Sequence, residues 1–232
     1  MSEHRNRAQQ GESISGTGAF VVIGAGPGLG AAAARRFGHS GHPVGLIARG
    51  SERLAAIAAE LAAEGLTSAT ETADITGAQA LEVALIALRE RLGPIEAVLF
   101  SPRPSLGWIK PVLDTEPSDV ANALALSVLA AVAAVRTVLP DMRHRGRGTL
   151  LFTTGGAAVE PHRDRAVSGI AYAAESVYVR MLHDTLADEG VHAAQVTVVG
   201  PIGPGARHEP DAVAEELWRL HTERDQPLVV LR

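Results

Sequence analysis

Six short, largely apolar runs punctuate the chain, at 19–23, 44–48, 95–100, 149–153, 196–199 and 228–231, and the weakly alternating stretch 67–72 reads as a further strand, the third in order. Each has strand length, and several are rich in the Val, Ile and Phe that suit a pleated surface. Between them lie longer stretches in which apolar residues return at helical spacing, at about 28–39, 51–64, 77–91, 117–143, 168–188 and 210–224. Punctuation residues support these boundaries. Ser51 is a candidate N-cap, Gly65 and Gly93-Pro94 end their helices, and Gly41-His42-Pro43 leads into the second run. Regular alternation of strand and helix predicts an α/β fold, a doubly wound parallel sheet of about seven strands with ligands at the carboxyl ends of the strands. Residues 18–232 are read as one domain, and the polar stretch 1–17 as a disordered tail.

Composition narrows the chemistry. At 232 residues and 46% hydrophobic content, one α/β domain with a full core is expected. The net charge of −5 and the absence of a basic patch argue against a nucleic-acid partner. No cysteine is present, which excludes disulfides, thiolate metal sites and cysteine catalysis. Nine histidines are scattered without a ligand pattern, so no metal is expected. No signal-peptide core and no run of membrane-spanning length is read, and a cytoplasmic protein without a membrane partner is the expectation.

The first strand breaks into Gly24-Ala25-Gly26-Pro27-Gly28-Leu29-Gly30 and then an Ala-rich helix. Strand, glycine turn and helix are how a nucleotide site opens in a Rossmann-type fold. Gly24 turns the chain off the strand, Gly28 keeps a Cβ away from a pyrophosphate, and Gly30 lets the helix lie close on the sheet. The helix N-terminus offers free N–H groups and partial positive charge to phosphate.

The spacing Gly24-x-x-x-Gly28-x-Gly30 resembles the cofactor loop of the short-chain dehydrogenase/reductase superfamily, with Ile23 where that family often has Thr. The resemblance runs from Ala19 to the end of the chain. Ala48-Arg49-Gly50-Ser51-Glu52-Arg53-Leu54 is similar to the family's stretch after the second strand. The acidic residue that would hold a ribose 2′-hydroxyl is missing at Ala48, whereas Arg49 can pair with a 2′-phosphate, which favours NADP(H) over NAD(H). Asp74-Ile75 matches the pair set against the adenine ring, or else Asp74 caps a helix. Where the family has Asn-Asn-Ala-Gly, this chain reads Ser101-Pro102-Arg103-Pro104, and Ser101 is assigned to the cofactor site. The helices near 117–143 and 168–188 resemble the pair that forms the family's dimer and tetramer interface, which implies a homodimer or homotetramer.

The family's catalytic set is depleted. Tyr172 falls on the catalytic Tyr position, Ser176 on the Lys position, Ser127 on the Asn position, and Gly155, beside Thr154, on the Ser position. Lys110 is the single lysine of the chain, so no Tyr-x-x-x-Lys exists in any register. An unperturbed tyrosine has a pKa of about 10, so about one part in a thousand is ionised at pH 7. Without a neighbouring cation, alcohol oxidation lacks its base. Neutral Tyr172 can still act as an acid, and hydride transfer to an iminium carbon needs no proton on oxygen, so the depleted set is compatible with C=N or conjugated C=C reduction or with chemistry that is not redox. Tyr172 is either that acid or a packing residue, and Thr154 either replaces the missing Ser or caps its strand. The loop His162-Arg163-Asp164-Arg165 is solvated or gates substrate. Arg103 and Trp108 line a substrate wall or a self-packed lid. The turn at Gly200-Pro201-Ile202 is followed too closely by the next helix for a long substrate lid. The resemblance thus implies an NADP(H)-dependent reductase of a small-molecule carbonyl, iminium or enone. A non-redox enzyme (cyclisation, dehydration or isomerisation) or a non-catalytic nucleotide-binding protein are the alternatives.

Overall fold

A computed structural model describes residues 17–105, 107 and 109–232, so the expected tail up to residue 16 and the wall residue Trp108 lie outside the described residues. The elements run β1 (Ala19–Ile23), α1 (Leu29–His39), β2 (Val44–Ala48), α2 (Ser51–Ala63), β3 (Ser68–Thr72), α3 (Ala78–Leu92) and β4 (Ile95–Phe100). Then follow α4 (Pro117–Leu124), a π-helical segment (Ala125–Leu129), α5 (Ala130–Arg145), β5 (Gly148–Gly155), α6 (Ala166–Leu186), β6 (Val191–Val198), α7 (Pro210–Glu223) and β7 (Leu228–Leu231). All seven strands are parallel, in the order β3-β2-β1-β4-β5-β6-β7. The strand order therefore reverses between β1 and β4, and the crevice at their carboxyl ends is where an open α/β sheet takes its ligand.

Two apolar layers hold the helices on the sheet. On one face Val21, Ile23, Phe100, Leu150 and Phe152 pack under α3, α5 and α6; on the other Phe20, Val22, Leu46, Leu99 and Leu151 pack under α1, α2 and α7. Small side chains set the spacing. Ala31 to Ala34 are buried on α1, which lies against α7, and a Cβ on Gly30 would stand 3.2 Å from Ala25 Cα.

Some boundaries differ from the pattern. β5 and β6 are longer than expected, because Val191-His192-Ala193-Ala194-Gln195 pairs in register with β5 along residues 148–152 despite its modest strand propensity. Gly50, not Ser51, is the N-cap of α2. Against the expectation that no run has membrane-spanning length, the helical segment Pro117–Arg145 is long and apolar enough to cross a membrane, with a mean hydropathy of 2.0 over an 18-residue window. In this fold it packs against α3, α6 and the sheet.

The amino ends of the strands carry a histidine cluster. His42 and His221 stand 5.3 Å apart between ring centroids, with His42 Nδ1 2.7 Å from Gly18 O and His221 Nδ1 2.9 Å from Thr149 Oγ1. His192 Nε2 is buried without a partner. Burial pushes His192 and His221 each down to about 4, and their histidine neighbours, His183 and His42, add to the effect. Both are therefore neutral in the fold at pH values where an unfolded chain protonates them. Stability is expected in full above about pH 6.5 and lost as the pH falls toward 4, with a slope approaching about 2.7 kcal/mol per pH unit from two protons. Urea unfolding across that range measures it. His221→Gln should remove about half of the slope, and an unchanged slope would rule His221 out as a contributor.

Candidate active site

Gly24 closes β1 at a φ of +89°, and a Cβ there would lie 2.6 Å from Pro102 Cα and 2.7 Å from Ser101 O. The loop is thus pressed against the segment leaving β4, and only glycine meets both demands. Gly24 N and Ala25 N donate to Ile47 O (both 2.9 Å), and Ala31 N donates to Gly26 O (2.9 Å) as α1 begins. Added Cβ atoms at Gly26 and Gly28 would meet nothing within 4 Å, so the backbone from Gly26 through Pro27 and Gly28 borders open space. α1 begins after Gly28 with no side-chain cap and no acid in its first turn, leaving the N–H groups of Leu29 and Gly30 without a competing anion.

Beside this loop lies a cleft of about 680 Å³ bordered by Gly24, Arg49, Arg53, Asp74, Ile75 and Arg103 among others. Arg49 and Arg53 are exposed on its rim, and Ile75 forms part of its buried floor. Asp74 Oδ1 accepts from Thr76 Oγ1 (2.8 Å) and Thr76 N (3.1 Å), an Asx turn that leads to the N-cap of α3 at Gly77. These bonds, with Arg49 nearby, hold the carboxyl below the usual range. Arg53 was not singled out from sequence. Its position one residue past the acid in Ser51-Glu52-Arg53 was the signal, since it stands on the same rim as Arg49.

At the carboxyl ends of β4 and β5, Thr153 Oγ1 donates to Ser101 Oγ at 2.6 Å. Tyr172, from α6, lies over the end of β5: a Cβ on Gly155 would stand 3.2 Å from Tyr172 Cε2. The ring thus borders position 155 closely enough that an added Cβ would require it to give by a few tenths of an ångström. Burial, with the Glu175 carboxyl adding, pushes the Tyr172 hydroxyl up to about 12, so it is a proton donor and not a base at ordinary pH.

Ser176 and Thr154 are brought together in a polar cluster around Gln195. Ser176 Oγ donates to Tyr172 O (2.8 Å), and Gln195 Nε2 reaches Thr154 Oγ1 (2.7 Å), Thr197 Oγ1 (2.8 Å) and Ser176 Oγ (2.9 Å). Thr154 and Thr197 hydroxyls lie 3.0 Å apart. Ser127 is buried in the π-helical segment, which packs on α6. Glu175, one residue before Ser176, is buried with Oε1 unpartnered, and burial pushes its carboxyl well above the carboxylate range. Gln195 and Glu175 were both missed from sequence, because a polar residue inside a strand or helix pattern gives no sign of which way it faces.

The walls are stitched together by backbone. Val112 N donates to Arg163 O (2.8 Å) and Ala166 N to Lys110 O (3.2 Å), while Lys110 Nζ pairs with Asp119 at 2.7 Å. His162, Arg163 and Asp164 are exposed. Residues 199–209 fold on themselves before α7, with Gly203 N bonded to His208 O (3.0 Å) and His208 Nε2 3.0 Å from Val199 O. On the outer side, Leu129, Ile170, Val177 and Met181 form an exposed apolar strip on the π segment and α6.

Comparison with known proteins adds to this geometry. Residues 19–213 match the short chain dehydrogenase family model. The chain is 26% identical over 177 residues to a fatty acyl-CoA reductase of Mycobacterium tuberculosis, covering 75% of this chain and 60% of that protein's length, so it spans about three fifths of that relative. It is 28% identical over 185 residues to an NADP-dependent 3-hydroxy acid dehydrogenase of Salmonella typhimurium, covering 80% and 71% of the two chains. Among solved structures, a metagenomic short-chain oxidoreductase in complex with NADP superposes with a TM-score of 0.81 at 25% identity, covering 94% of this chain and 97% of that one.

Proposed function

The chain belongs to the short-chain dehydrogenase family, and on that premise we propose that it is an NADP(H)-dependent reductase of a small carbonyl, iminium or enone compound, working with a depleted catalytic set. The observation that carries the direction is Tyr172, a half-buried phenol held protonated up to about pH 12 with no lysine beside it. The cofactor would be held by Gly24, Gly26, Pro27, Gly28, Leu29 and Gly30 at its pyrophosphate, by Arg49 and Arg53 at a 2′-phosphate, by Asp74 and Ile75 at the adenine, and by Ser101 near the nicotinamide. The open backbone at Gly26 and Gly28 and the two arginines on the cleft rim support that fit. The NADP named with two similar proteins points the same way.

When bound, NADPH supplies a hydride to the substrate carbon. Tyr172 Oη gives its proton to a carbonyl oxygen as that oxygen becomes anionic, and regains one from solvent after product leaves. Ser101 and Thr153 offer hydroxyls at the same crevice, where they orient what lies on the strand ends. The working unit is a cytoplasmic homo-oligomer, with the apolar strip on α6 and the π segment as its contact.

Calorimetric titration with NADPH, NADP⁺, NADH and NAD⁺ tests the cofactor. Micromolar affinity with preference for the 2′-phosphorylated pair is the expected result, and failure of all four to bind would overturn the reading. Arg49→Ala should weaken NADPH binding by about ten- to a hundredfold, as loss of a charge-assisted bond does, and leave NADH unchanged. A second reading, a non-redox step or nucleotide binding without turnover, is favoured by the engagement of Ser176 and Thr154 with Gln195, which leaves neither hydroxyl free for a substrate. Nucleotide binding without consumption of NADPH against any carbonyl or imine would favour it.

A further inference from the structure

Glu175 is the one buried acid whose side chain nothing in the site accounts for. It is 1% exposed, and its Oε1 has no hydrogen-bond partner. On α6 it continues the buried row Val167, Ala171, Glu175, Val179, the first two of which cluster with Ala123 of α4. This row therefore lies in the seam between α6 and the helix that carries Ser127. Tyr172 is three residues earlier, on the adjoining face of the same turn, a spacing that puts Cβ atoms about 5–6 Å apart.

No cation in the surrounding elements compensates a carboxylate there. Among the described residues of the elements packed on α6, the 3₁₀ turn at 156–158, β5 and the π segment contain no titratable group, and the 3₁₀ turn at 187–189 carries only the acids Asp188 and Glu189. Asp119 of α4 is paired with Lys110, and His192 of β6 is neutral at ordinary pH. On α6 and its N-cap, the other titratable groups are Arg165, Tyr172, Tyr178, Arg180, His183 and Asp184. Burial of an acid with no counter-charge is relieved by keeping its proton.

We propose that Glu175 is a positioning residue for Tyr172, stored as a neutral carboxylic acid in the α6–α4 seam so that no negative charge opposes proton release from the phenol. Ionising Glu175 would make Tyr172 a poorer donor; keeping it neutral leaves the phenol as acidic as its burial allows. The inference rests on Tyr172 being the site's acid, and its test is chosen to stand apart from turnover.

The chain has two tyrosines, so in a Tyr178→Phe background the near-ultraviolet absorbance of tyrosinate reports Tyr172 alone. A rapid jump to alkaline pH reads its transition before the chain unfolds. At the alkaline pH where the phenol ionises, Glu175 has already given up its proton and its charge opposes the tyrosinate, so adding Glu175→Gln should move the transition down by about one pH unit, as removal of a nearby like charge does. The infrared carbonyl stretch of a protonated carboxyl should be present at neutral pH in the parent and absent from the Gln variant. An unmoved tyrosinate transition, or no protonated carboxyl band in the parent, would overturn the proposal. Glu175→Met, apolar and similar in volume, carries the same test if the amide does not fold. Neither readout needs cofactor or substrate, so failure of the reductase reading leaves both intact.

Discussion

Gly24→Ala is expected to destabilise the chain by about 2–5 kcal/mol, the sum of a left-handed backbone forced on an L-residue and an overlap in a packed interior. The overlap is with backbone: Pro102 Cα at 2.6 Å and Ser101 O at 2.7 Å, neither of which can rotate away. β1 and the segment leaving β4 would have to separate, at the centre of the sheet and beside the proposed nicotinamide site. A fall in the urea midpoint together with loss of NADPH affinity is the expected result. Gly26→Ala is the matched control. Its Cβ meets nothing within 4 Å, so its stability should change by less than about 1 kcal/mol, while its nucleotide affinity should fall if a pyrophosphate passes over it. Equal stability loss in both variants would mean that the loop's glycines serve the fold alone.

Tyr172→Phe is expected to lower kcat/KM for reduction of a carbonyl by about 10²–10⁴-fold, the usual worth of a general acid, with NADPH affinity unchanged. The ring remains against Gly155 and only the hydroxyl is lost, so the urea midpoint should hold. The same variant should leave reduction of a preformed iminium untouched, since that carbon accepts hydride without a proton on oxygen. Full retention of carbonyl reduction would remove Tyr172 as the acid and leave it a packing residue.

The fold was legible because its signals are local. The strands at 19–23, 44–48 and 95–100 are, Glu96 apart, near-continuous apolar runs with both faces buried, and a parallel sheet demands that. The glycine loop was legible because its spacing states a backbone requirement that the φ of Gly24 meets. The amino half of β6 was hidden, since Ala193 and Ala194 have the composition of a helix and become strand only by pairing with β5. The π-helical turn at Ala125–Leu129 was hidden too, because an added residue per turn leaves no mark in a run of Ala, Leu and Val. In the site, loss of the lysine was read directly from composition. What replaced it was not: Gln195 and Glu175 have ordinary neighbours in sequence, and their importance comes from being buried with an unpartnered oxygen each.

The contact between Gly155 and Tyr172 also bears on the order in which substitutions can accumulate. With the ring 3.2 Å from where a β-carbon would stand, any side chain placed at position 155 comes up against the tyrosine. Gly155→Ser needs the Tyr172 ring to give way by a few tenths of an ångström. Positions 155 and 172, on different elements, are thus coupled, and a side chain gained at one is tolerated only as far as the other yields.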